Sequence, residues 1–544
     1  MVQSKKNSAK KSNATSSLQK DTPQNNFADF MKNEADQQTK NRVRKSVNWL
    51  DVVLDEQGNV KSKKVNIAKL GQAIYDAHKD KWLLVQDDDI REFWTYRPLK
   101  HNYGADNSIQ NKLAHTQKVW QLDNIKTIRG YIHAALKKES VWKAKTESDT
   151  YKYVIGELEN HIVPKATTID LIQPYEILTA DGVLNYHTLS IVPNSPSYFF
   201  TDFCDYSIRD ADPNGAPLIK QWFKESFGTA ALTLEQYIGY MFYPTYKDMQ
   251  AFAILKNTGG EGKTTIINFI NSLMPLSEIS HASLQQLTQD EKSSKNFSTS
   301  ELYKKRLNTG DDITNDFIQD GSKIKTLTGG GNLNAPKKGK DDIKFSNYAK
   351  LIFACNDLPE YRDTSKGWSR RPYIITANTI DDFRKRYDMK QLYAERGSFI
   401  LYCIKEFQKQ LKAQIEQGIA NPRLYENEET IQNRKEWLNF NDPVQQFIDE
   451  MVVPKDQLPD KGKRTIRNCR QVKTTYNAYK NWCLDANYKP LNKKSFSKEM
   501  KNKGYENSRT TINGQSGYWW YDLKLYSDAG SISTLQENNL HSIN

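Results

Sequence analysis

Residues 251–270 read AFAILKNTGGEGKTTIINFI, and this stretch decides the fold of the region around it. The apolar run Ala251–Leu255 predicts a strand, and the residues from about Lys263 predict a helix. Between them lies a turn whose glycines let backbone N–H groups curl around phosphate oxygens, where a Cβ would intrude. These glycines are Gly259, Gly260 and Gly262. Strand, glycine-rich turn and helix in this order predict a phosphate-binding loop (P-loop) in an α/β fold.

The residues after the turn have the chemistry that a bound nucleoside triphosphate needs. Lys263 can reach the β- and γ-phosphates, Thr264 can place its hydroxyl on Mg²⁺, and the helix N-terminus adds its positive end. Thr265 is a further candidate for nucleotide contact. Asn257 stands where the usual pattern has its first glycine, and asparagine is a residue that tolerates left-handed backbone geometry. We therefore predict ATP and Mg²⁺ as cofactors; the alternative is a glycine-rich turn with an incidental lysine.

An acidic pair downstream supplies what the loop lacks for hydrolysis. The segment KKRLNTGDDIT, residues 304–314, contains Asp311, which suits a metal anchor, and Asp312, which suits water activation. The strand expected before this pair is weak, because residues 308–310 are not apolar. A solvated turn is the alternative interpretation.

Two further polar sites follow in the chain. The apolar strand Leu351–Ala354 ends near Asn356, whose side chain can position the attacking water against the γ-phosphate. Arg370 and Arg371 precede another strand, and in ring ATPases an arginine reaches the nucleotide of the neighbouring subunit. Taken alone, Asn356 is a common turn residue and the arginine pair is a common surface feature. The complete order, from loop to acidic pair to asparagine to arginines, indicates an ATPase site.

Composition points to a polyanionic partner. The formal net charge is +13 and the pI is about 9.1, which favours nucleic acid, although a solvated basic surface is the alternative. No run of about 18 apolar residues is present, so no membrane span is expected. The basic N-terminus lacks the apolar centre of a signal peptide, and we expect a cytoplasmic protein. The five cysteines are scattered and signal neither a zinc site nor a disulfide framework.

A basic hairpin is predicted between the acidic pair and Asn356. Residues 324–330, IKTLTGG, lead into NLNAPKKGKDDIKF, which ends at Phe345. The tip of this hairpin presents ammonium groups that can grip a phosphate backbone without reading bases. The tip lysines are Lys337, Lys338 and Lys340.

Together these motifs resemble the superfamily-3 helicases, in particular the helicase half of phage, plasmid and poxvirus primase-helicases. The resemblance covers roughly residues 67–380 plus a C-terminal domain, and it is greatest to replication initiators of staphylococcal pathogenicity islands and related satellite elements. It implies an AAA+-like ATPase core, assembly of a homo-oligomer, most simply a hexamer, and an arginine finger. The sequence departs from the family pattern at four positions, which are Asn257, Glu261, Asp312 and Gly331.

A winged-helix domain is predicted near the C-terminus. A core stripe in VKTTYNAYKNWC precedes a basic helix ending at Gly504, and Asn513-Gly514 marks a hairpin turn. The basic helix can enter a major groove while the hairpin touches the backbone. Its outward lysines are Lys493, Lys494, Lys498 and Lys501. The alternative is a packing domain with a solvated lysine face.

The fold class expected is α/β, with a P-loop core between an α+β N-terminal domain and the winged helix. The predicted boundaries are a loose basic tail over 1–45, the α+β domain over 46–240, the ATPase domain over 241–380, a helical linker over 381–440, the winged helix over 441–526 and a loose tail over 527–544.

The leading functional hypothesis is an ATP-driven replicative DNA helicase that initiates replication of a mobile genetic element. Its expected partners are single- and double-stranded DNA including a replication origin, further copies of itself, and host replication proteins. A DNA-binding regulatory or defence ATPase that does not unwind DNA is the alternative. A primase site at residues 86–89, QDDD, is a third hypothesis, and an acidic loop explains those residues better.

Overall fold

The structure, a computed structural model, describes residues 47–87, 90–100, 116–165, 174–212, 214–256, 262–289, 297–310, 318, 321–337, 340–361, 365–458, 468–486 and 488–528. The predicted tails over 1–45 and beyond residue 528 lie outside these residues. Contacts divide the chain into two compact units. One contains the residues up to Thr95 together with Leu122–Lys165, and the other contains Tyr96–Gln121 and the residues from Ala166 onward.

The first unit mixes helices with a sheet. In chain order the elements of this region are β1 (Leu50–Leu54), β2 (Val60–Val65), α1 (Ile67–His78), β3 (Trp82–Asp87), β4 (Ile90–Lys100), β5 (Thr116–Asp123), α2 (Thr127–Lys138), α3 (Ala144–Asn160) and β6 (Val163–Pro164). Strands β4 and β5 contribute residues to both units. The sheet order is β5-β4-β3-β6. The apolar sides of the three helices close over Trp82, Leu84 and Phe93 to form the core of the unit.

The second unit has a larger α/β core. Its elements up to residue 440 are β7 (Glu176–Thr179), β8 (Gly182–Asn185), β9 (Ile191–Val192), α4 (Pro217–Phe227), α5 (Ala231–Met241), β10 (Phe252–Lys256), α6 (Gly262–Asn271), β11 (Ile279–Ser280), α7 (Leu284–Thr288), α8 (Ser298–Glu301), β12 (Leu307–Gly310), α9 (Gly321–Leu327), β13 (Asn332–Lys337), β14 (Lys340–Ser346), β15 (Lys350–Cys355), α10 (Lys366–Ser369), β16 (Pro372–Thr376), α11 (Phe383–Arg386), α12 (Met389–Ala394), α13 (Arg396–Glu416) and α14 (Glu428–Phe440).

A five-stranded parallel sheet organises this core. Its order is β11-β12-β15-β10-β16, and every pairing in it is parallel. Strand β10 is apolar and buried along Phe252–Leu255, as expected for a strand covered on both faces. The predicted strand and the predicted helix are thus confirmed as β10 and α6. Because the strands are parallel, the segments that follow β10, β12, β15 and β16 leave the same edge of the sheet.

Strand β12 is polar yet fully buried. Asn308 accepts hydrogen bonds from Ala282 N and Ser280 Oγ and donates one to Ala282 O, each 2.9 Å long. Thr309 Oγ1 lies 3.0 Å from Asn271 Oδ1 and from His281 Nδ1. The weak strand expected before the acidic pair is therefore a regular member of the sheet, because its polar side chains find partners in the interior.

The helices beyond the sheet belong to the same core. Helix α13 packs along α5, and the two backbones approach so closely that a Cβ on Gly239 would lie 2.1 Å from Cys403 O. Arg396, at the start of α13, donates to Ser272 O at 2.8 Å and pairs with the buried Asp205 at 2.8 Å. The boundary at residue 240 and the linker over 381–440 stay predictions, and α5 and α13 share one apolar core with the sheet.

The C-terminal part of the chain forms its own apolar cluster. It consists of α15 (Pro443–Met451), β17 (Arg470–Gln471), α16 (Val472–Asp485), α17 (Lys493–Asn502), β18 (Asn507–Ile512) and β19 (Gln515–Trp520). Strands β18 and β19 are an antiparallel hairpin in which Ile512 is opposite Gln515. Asn513 and Gly514 between them have φ of 49° and 73°, which suits a type I′ turn and confirms the predicted turn.

None of the helices among the described residues has the length and apolarity needed to cross a bilayer.

Candidate functional site

The side chains of Lys263 and Asn356 meet at the carboxyl edge of the parallel sheet. Lys263 is in the first turn of α6, which follows β10, and Asn356 directly follows β15, the strand beside β10. Lys263 Nζ donates a hydrogen bond to Asn356 Oδ1. Two residues that the sequence singled out separately are therefore brought together across 93 positions of the chain.

The thiol next to this lysine and amide, that of Cys355, is neutral. Cys355 is buried just before Asn356, and burial raises the pKa of its thiol to about 12, against the opposing effect of Lys263 and Lys256. The thiol is therefore neutral at physiological pH. A cysteine at this position fills space in the core rather than acting as a nucleophile.

The predicted acidic pair follows the next strand of the sheet. Strand β12 ends at Gly310, opposite Phe353 of β15. A Cβ on Gly310 would lie 2.8 Å from Phe353 Cδ1 and 3.0 Å from Ala282 O, so the close packing of the strand end requires glycine here. Asp311 and Asp312 come directly after it and lie outside the described residues, as do Gly259 and Gly260 of the loop.

A cavity of about 400 Å³ opens beside the start of α6. Gly262, Thr265 and Ile266 form its side on that helix. Its opposite side is formed by residues 378–385, the segment that follows β16, and by residues of α4 that include Trp222 and Ser226. Its volume lies within the range of small-molecule pockets, roughly 300–1,000 Å³. Sequence reasoning missed this cavity, since its walls come from three separate segments with no common motif.

Thr264 and Thr265 have different environments. Thr264 is exposed at the first turn of α6, whereas Thr265 is half-buried and faces the cavity. With Gly262 and Lys263 they make a helix N-terminus that carries an ammonium group and an exposed hydroxyl beside a cavity. This arrangement has the donors that a polyphosphate with its counter-cation requires.

The two predicted arginines differ in burial. Arg371 is 5% exposed, and its guanidinium donates to Thr328 Oγ1 at 2.8 Å, to Gln250 Oε1 at 2.6 Å and to Gly367 O. Arg370 is half-buried and donates to the same Gln250 oxygen at 2.6 Å. Arg371 is thus committed to its own chain, where it ties α10 to the end of α9.

The predicted basic hairpin is present as β13 and β14. The two strands are antiparallel, with Lys337 opposite Lys340, and the register shifts between Ala335 and Lys337. At its base, Leu333 and Ala335 are buried and the Phe345 ring lies 5.4 Å from that of Tyr303. The hairpin is thus anchored to the core, while Lys338 and the side chains of Lys337 and Lys340 lie outside what the structure describes.

A basic groove lies on the C-terminal part of the chain. The lysines predicted on α17 are all exposed, whereas Phe496 and Met500 on the opposite side of the helix are fully buried. The groove runs between the start of α17 and β19, and its cationic lining is Lys473, Lys493, Lys494 and Lys501. Tyr518, 58% exposed, borders it. Sequence reasoning missed Lys473 and Tyr518, since neither lies on the predicted basic helix.

Two parts of the chain match known protein families. Residues 439–523 match the family "Poxvirus D5 protein-like". Residues 255–371, which contain Lys263, Asn356 and both arginines, match a family of unknown function, DUF5906. The C-terminal match bears out the poxvirus-type resemblance in its coarse form. The superfamily-3 assignment and the narrower likeness to staphylococcal island initiators stay predictions.

Similar solved structures include three of the NrS-1 C-terminal region. Two of them align with TM-scores of 0.40 at 9% identity, over 83% and 84% of this chain and 98% and 99% of theirs. The third aligns with a TM-score of 0.41 at 10% identity, over 84% of this chain and 99% of its own. No curated protein sequence matches the chain.

Proposed function

We propose that this chain is an ATP-dependent DNA helicase and replication initiator of a mobile genetic element, which hydrolyses ATP between the subunits of a ring. The observation that carries the proposal is the hydrogen bond from Lys263 to Asn356 at the carboxyl edge of the parallel sheet. Ligands of open parallel sheets bind at this edge. The match to the Poxvirus D5 protein-like family supports the same class of protein.

The nucleotide is held by the start of α6. Gly262 and the loop glycines surround the phosphates, Lys263 neutralises the β- and γ-phosphates, and the nucleoside occupies the cavity beside Thr265. Thr264 and Asp311 would hold Mg²⁺, which would supply charge neutralisation at the phosphates. Strand β15 lies between β10 and β12, so Asn356 follows the strand between the one that precedes the loop and the one that precedes the acidic pair in sequence.

Hydrolysis follows from this arrangement. Asn356 orients the attacking water, and Asp312 accepts its proton as the water oxygen bonds to the γ-phosphorus and the bond to the β-phosphate oxygen breaks. Arg370 is the residue that reaches the nucleotide of the neighbouring subunit. Arg371 is excluded from that role by its burial and by the acceptors within its own chain to which it donates.

DNA contacts are made at two further places. The hairpin of β13 and β14 presents Lys337, Lys338 and Lys340 to the backbone of one strand in the ring channel. The C-terminal domain acts as a winged helix that docks on origin duplex through α17. Helix, basic helix and hairpin occur there in the required order.

The test mixes two inactive variants. Lys263→Ala and Arg370→Ala each reduce ATP hydrolysis at least about 10³-fold, since each removes charge stabilisation of the transition state. In a ring assembled from equal amounts of both, about a quarter of the interfaces combine an intact lysine with an intact neighbouring arginine. Mixing therefore restores about a quarter of the wild-type rate, measured as phosphate release.

Arg371→Ala is the matched control, because it removes the same charge at the adjacent position. Arg371→Ala destabilises the fold, and its ATPase activity falls only as far as its folded fraction falls. Mixing it with Lys263→Ala therefore gives no recovery beyond the activity of the Arg371→Ala subunits themselves. An absence of any recovery when the Lys263 and Arg370 variants are mixed, with both variants folded and assembled, would contradict hydrolysis between subunits.

Unwinding separates a helicase from a regulatory ATPase. Wild-type protein with ATP opens a forked duplex, and Lys263→Ala does not, while duplex binding through residues 441–526 persists in both. Full ATPase activity without strand separation would favour the regulatory or defence ATPase instead.

A further inference from the structure

The first unit exposes two aromatic side chains on neighbouring segments. Trp142, in the turn between α2 and α3, is 40% exposed, and Tyr131 on α2 is 44% exposed. The buried stripe of α2, which contains Ile128, Ile132 and Leu136, packs into the core. Tyr131 therefore lies on the solvent side of α2, and Trp142 lies in the turn that follows the helix.

Trp142 is locked in place although it is exposed. Its indole Nε1 donates to Glu147 Oε2 at 2.6 Å, and His133 Nδ1 lies 2.9 Å from the same oxygen. The His133 ring meets the indole edge-on at 5.4 Å between centroids. The hydrogen bond from Trp142 and, to a smaller extent, the one from His133 lower the pKa of Glu147. The carboxylate therefore stays ionised and keeps both hydrogen bonds. The entropy cost of ordering the indole is met before any ligand arrives.

Basic residues outnumber acidic ones in the sequence around this ring, whose own hydrogen-bond partner is the carboxylate of Glu147. Between residues 126 and 145 the acidic side chain is Glu139 alone, whereas the basic ones are Lys126, Arg129, Lys137, Lys138, Lys143 and Lys145. Lys137 Nζ lies 5.0 Å from the Trp142 ring centroid. Lys63 of β2 joins the group, because its Nζ donates to Glu139 O at 2.9 Å. All of these lysines are exposed.

A preordered aromatic ring among exposed lysines matches the chemistry of unpaired nucleotides. Their bases stack on aromatic faces, and their phosphates pair with ammonium groups. A duplex would offer the phosphates without a free base face. We infer that the surface formed by α2 and the turn at Trp142 is a binding site for single-stranded nucleic acid, separate from the ATPase site.

Photo-crosslinking of the full-length chain tests this site without nucleotide. The probes are an oligothymidylate and an oligouridylate of about 15 nucleotides, each carrying iodouracil. Adducts mapped by mass spectrometry are expected on Trp142 or Tyr131 with at least one of the two. The Lys263→Ala variant should give the same adducts. The crosslinking result therefore does not depend on whether the ATPase proposal is correct.

Affinity measured by fluorescence anisotropy gives the second readout. Trp142→Ala weakens binding about 5- to 100-fold, whereas Trp142→Phe, which keeps an aromatic face, stays within about 3-fold of wild type. The triple variant Lys137→Gln, Lys138→Gln and Lys143→Gln reduces the magnitude of the negative slope of log affinity against log salt by about 2.

The matched control is the triple variant Lys405→Gln, Lys409→Gln and Lys412→Gln, which removes the same charge from exposed positions of α13 and leaves binding unchanged. Thermal unfolding checks that each variant is folded. Wild-type affinity in folded Trp142→Ala, together with no adduct at either aromatic residue, overturns the inference.

Discussion

Lys350 is a fully buried lysine at the first position of β15, and its burial, with Arg306 nearby, lowers the pKa of its amine well below the usual value. Its Nζ donates to the carbonyls of Tyr243, Thr245 and Tyr348 at 2.7, 3.2 and 2.9 Å. It also lies 4.3 and 4.2 Å from the ring centroids of Tyr240 and Tyr246. The Lys350 side chain therefore joins the beginning of β15, the strand that Asn356 follows, to the chain leading into β10.

Replacing Lys350 by methionine keeps the length of the side chain and removes its three donors. We expect Lys350→Met to lower the free energy of unfolding by about 2–4 kcal/mol, because buried carbonyls lose their partner. Urea unfolding measures the change. Lys344→Met, at an exposed position of β14, is the control and should stay within about 0.5 kcal/mol of wild type. An equally small effect of Lys350→Met would show that packing alone stabilises the junction between β15 and the chain leading into β10.

Helices α5 and α13 are in backbone contact at Gly239. A methyl group there would lie 2.1 Å from Cys403 O and 2.6 Å from Cys403 C, positions that no rotamer change relieves. Gly156, in the middle of α3, has nothing within 4 Å of the place where a methyl group would lie. The two mid-helix glycines thus separate the effect of packing from that of helix propensity.

Gly239→Ala and Gly156→Ala should change stability in opposite directions. Alanine favours a helix by about 1 kcal/mol over glycine, so Gly156→Ala raises the free energy of unfolding by about 0.5–1 kcal/mol. At Gly239 the clash outweighs this gain, and we expect a loss of about 2–4 kcal/mol. Urea unfolding followed by tryptophan fluorescence distinguishes them. Stabilisation by both substitutions would mean that α13 moves away from α5 at little cost.

At the scale of the whole molecule, one apolar core extends across several predicted boundaries. It contains residues of β7 and β8, of α4 and α5, of the parallel sheet and of α13. Tyr237 Oη on α5 donates to Leu351 O in the sheet at 2.7 Å. Residues 241–380 alone therefore lack much of the surface that covers their sheet.

Two fragments test this conclusion. Residues 174–442 should unfold cooperatively on heating, whereas residues 241–380 should show no cooperative transition, because their sheet is left without α5 and α13. Circular dichroism against temperature provides the measurement. A sharp transition in the shorter fragment would restore the boundary at residue 240.

Features formed by residues adjacent in the chain could be predicted from the sequence. Features formed by contacts between distant segments could not. Strand β10 and helix α6 were predictable, since an apolar run and a glycine turn are adjacent in the chain. The meeting of Lys263 with Asn356 followed from the order of motifs. The cavity beside α6 and the core position of α13 did not follow, because their contacts join segments that are distant in sequence and share no pattern. The polar β12 looked weak because its partners, Ala282 and Asn271, lie far from it in sequence.

The side-chain amide of Asn308 hydrogen-bonds to both the N–H and the C=O of Ala282, as a backbone peptide group of a neighbouring strand would. Edge strand β11 has only two residues, and the amide of Asn308 extends its pairing by one step at Ala282. Position 308 therefore needs a polar side chain, although most buried positions hold apolar ones. An apolar side chain of equal volume at position 308 would leave the N–H and the C=O of Ala282 without these hydrogen-bond partners.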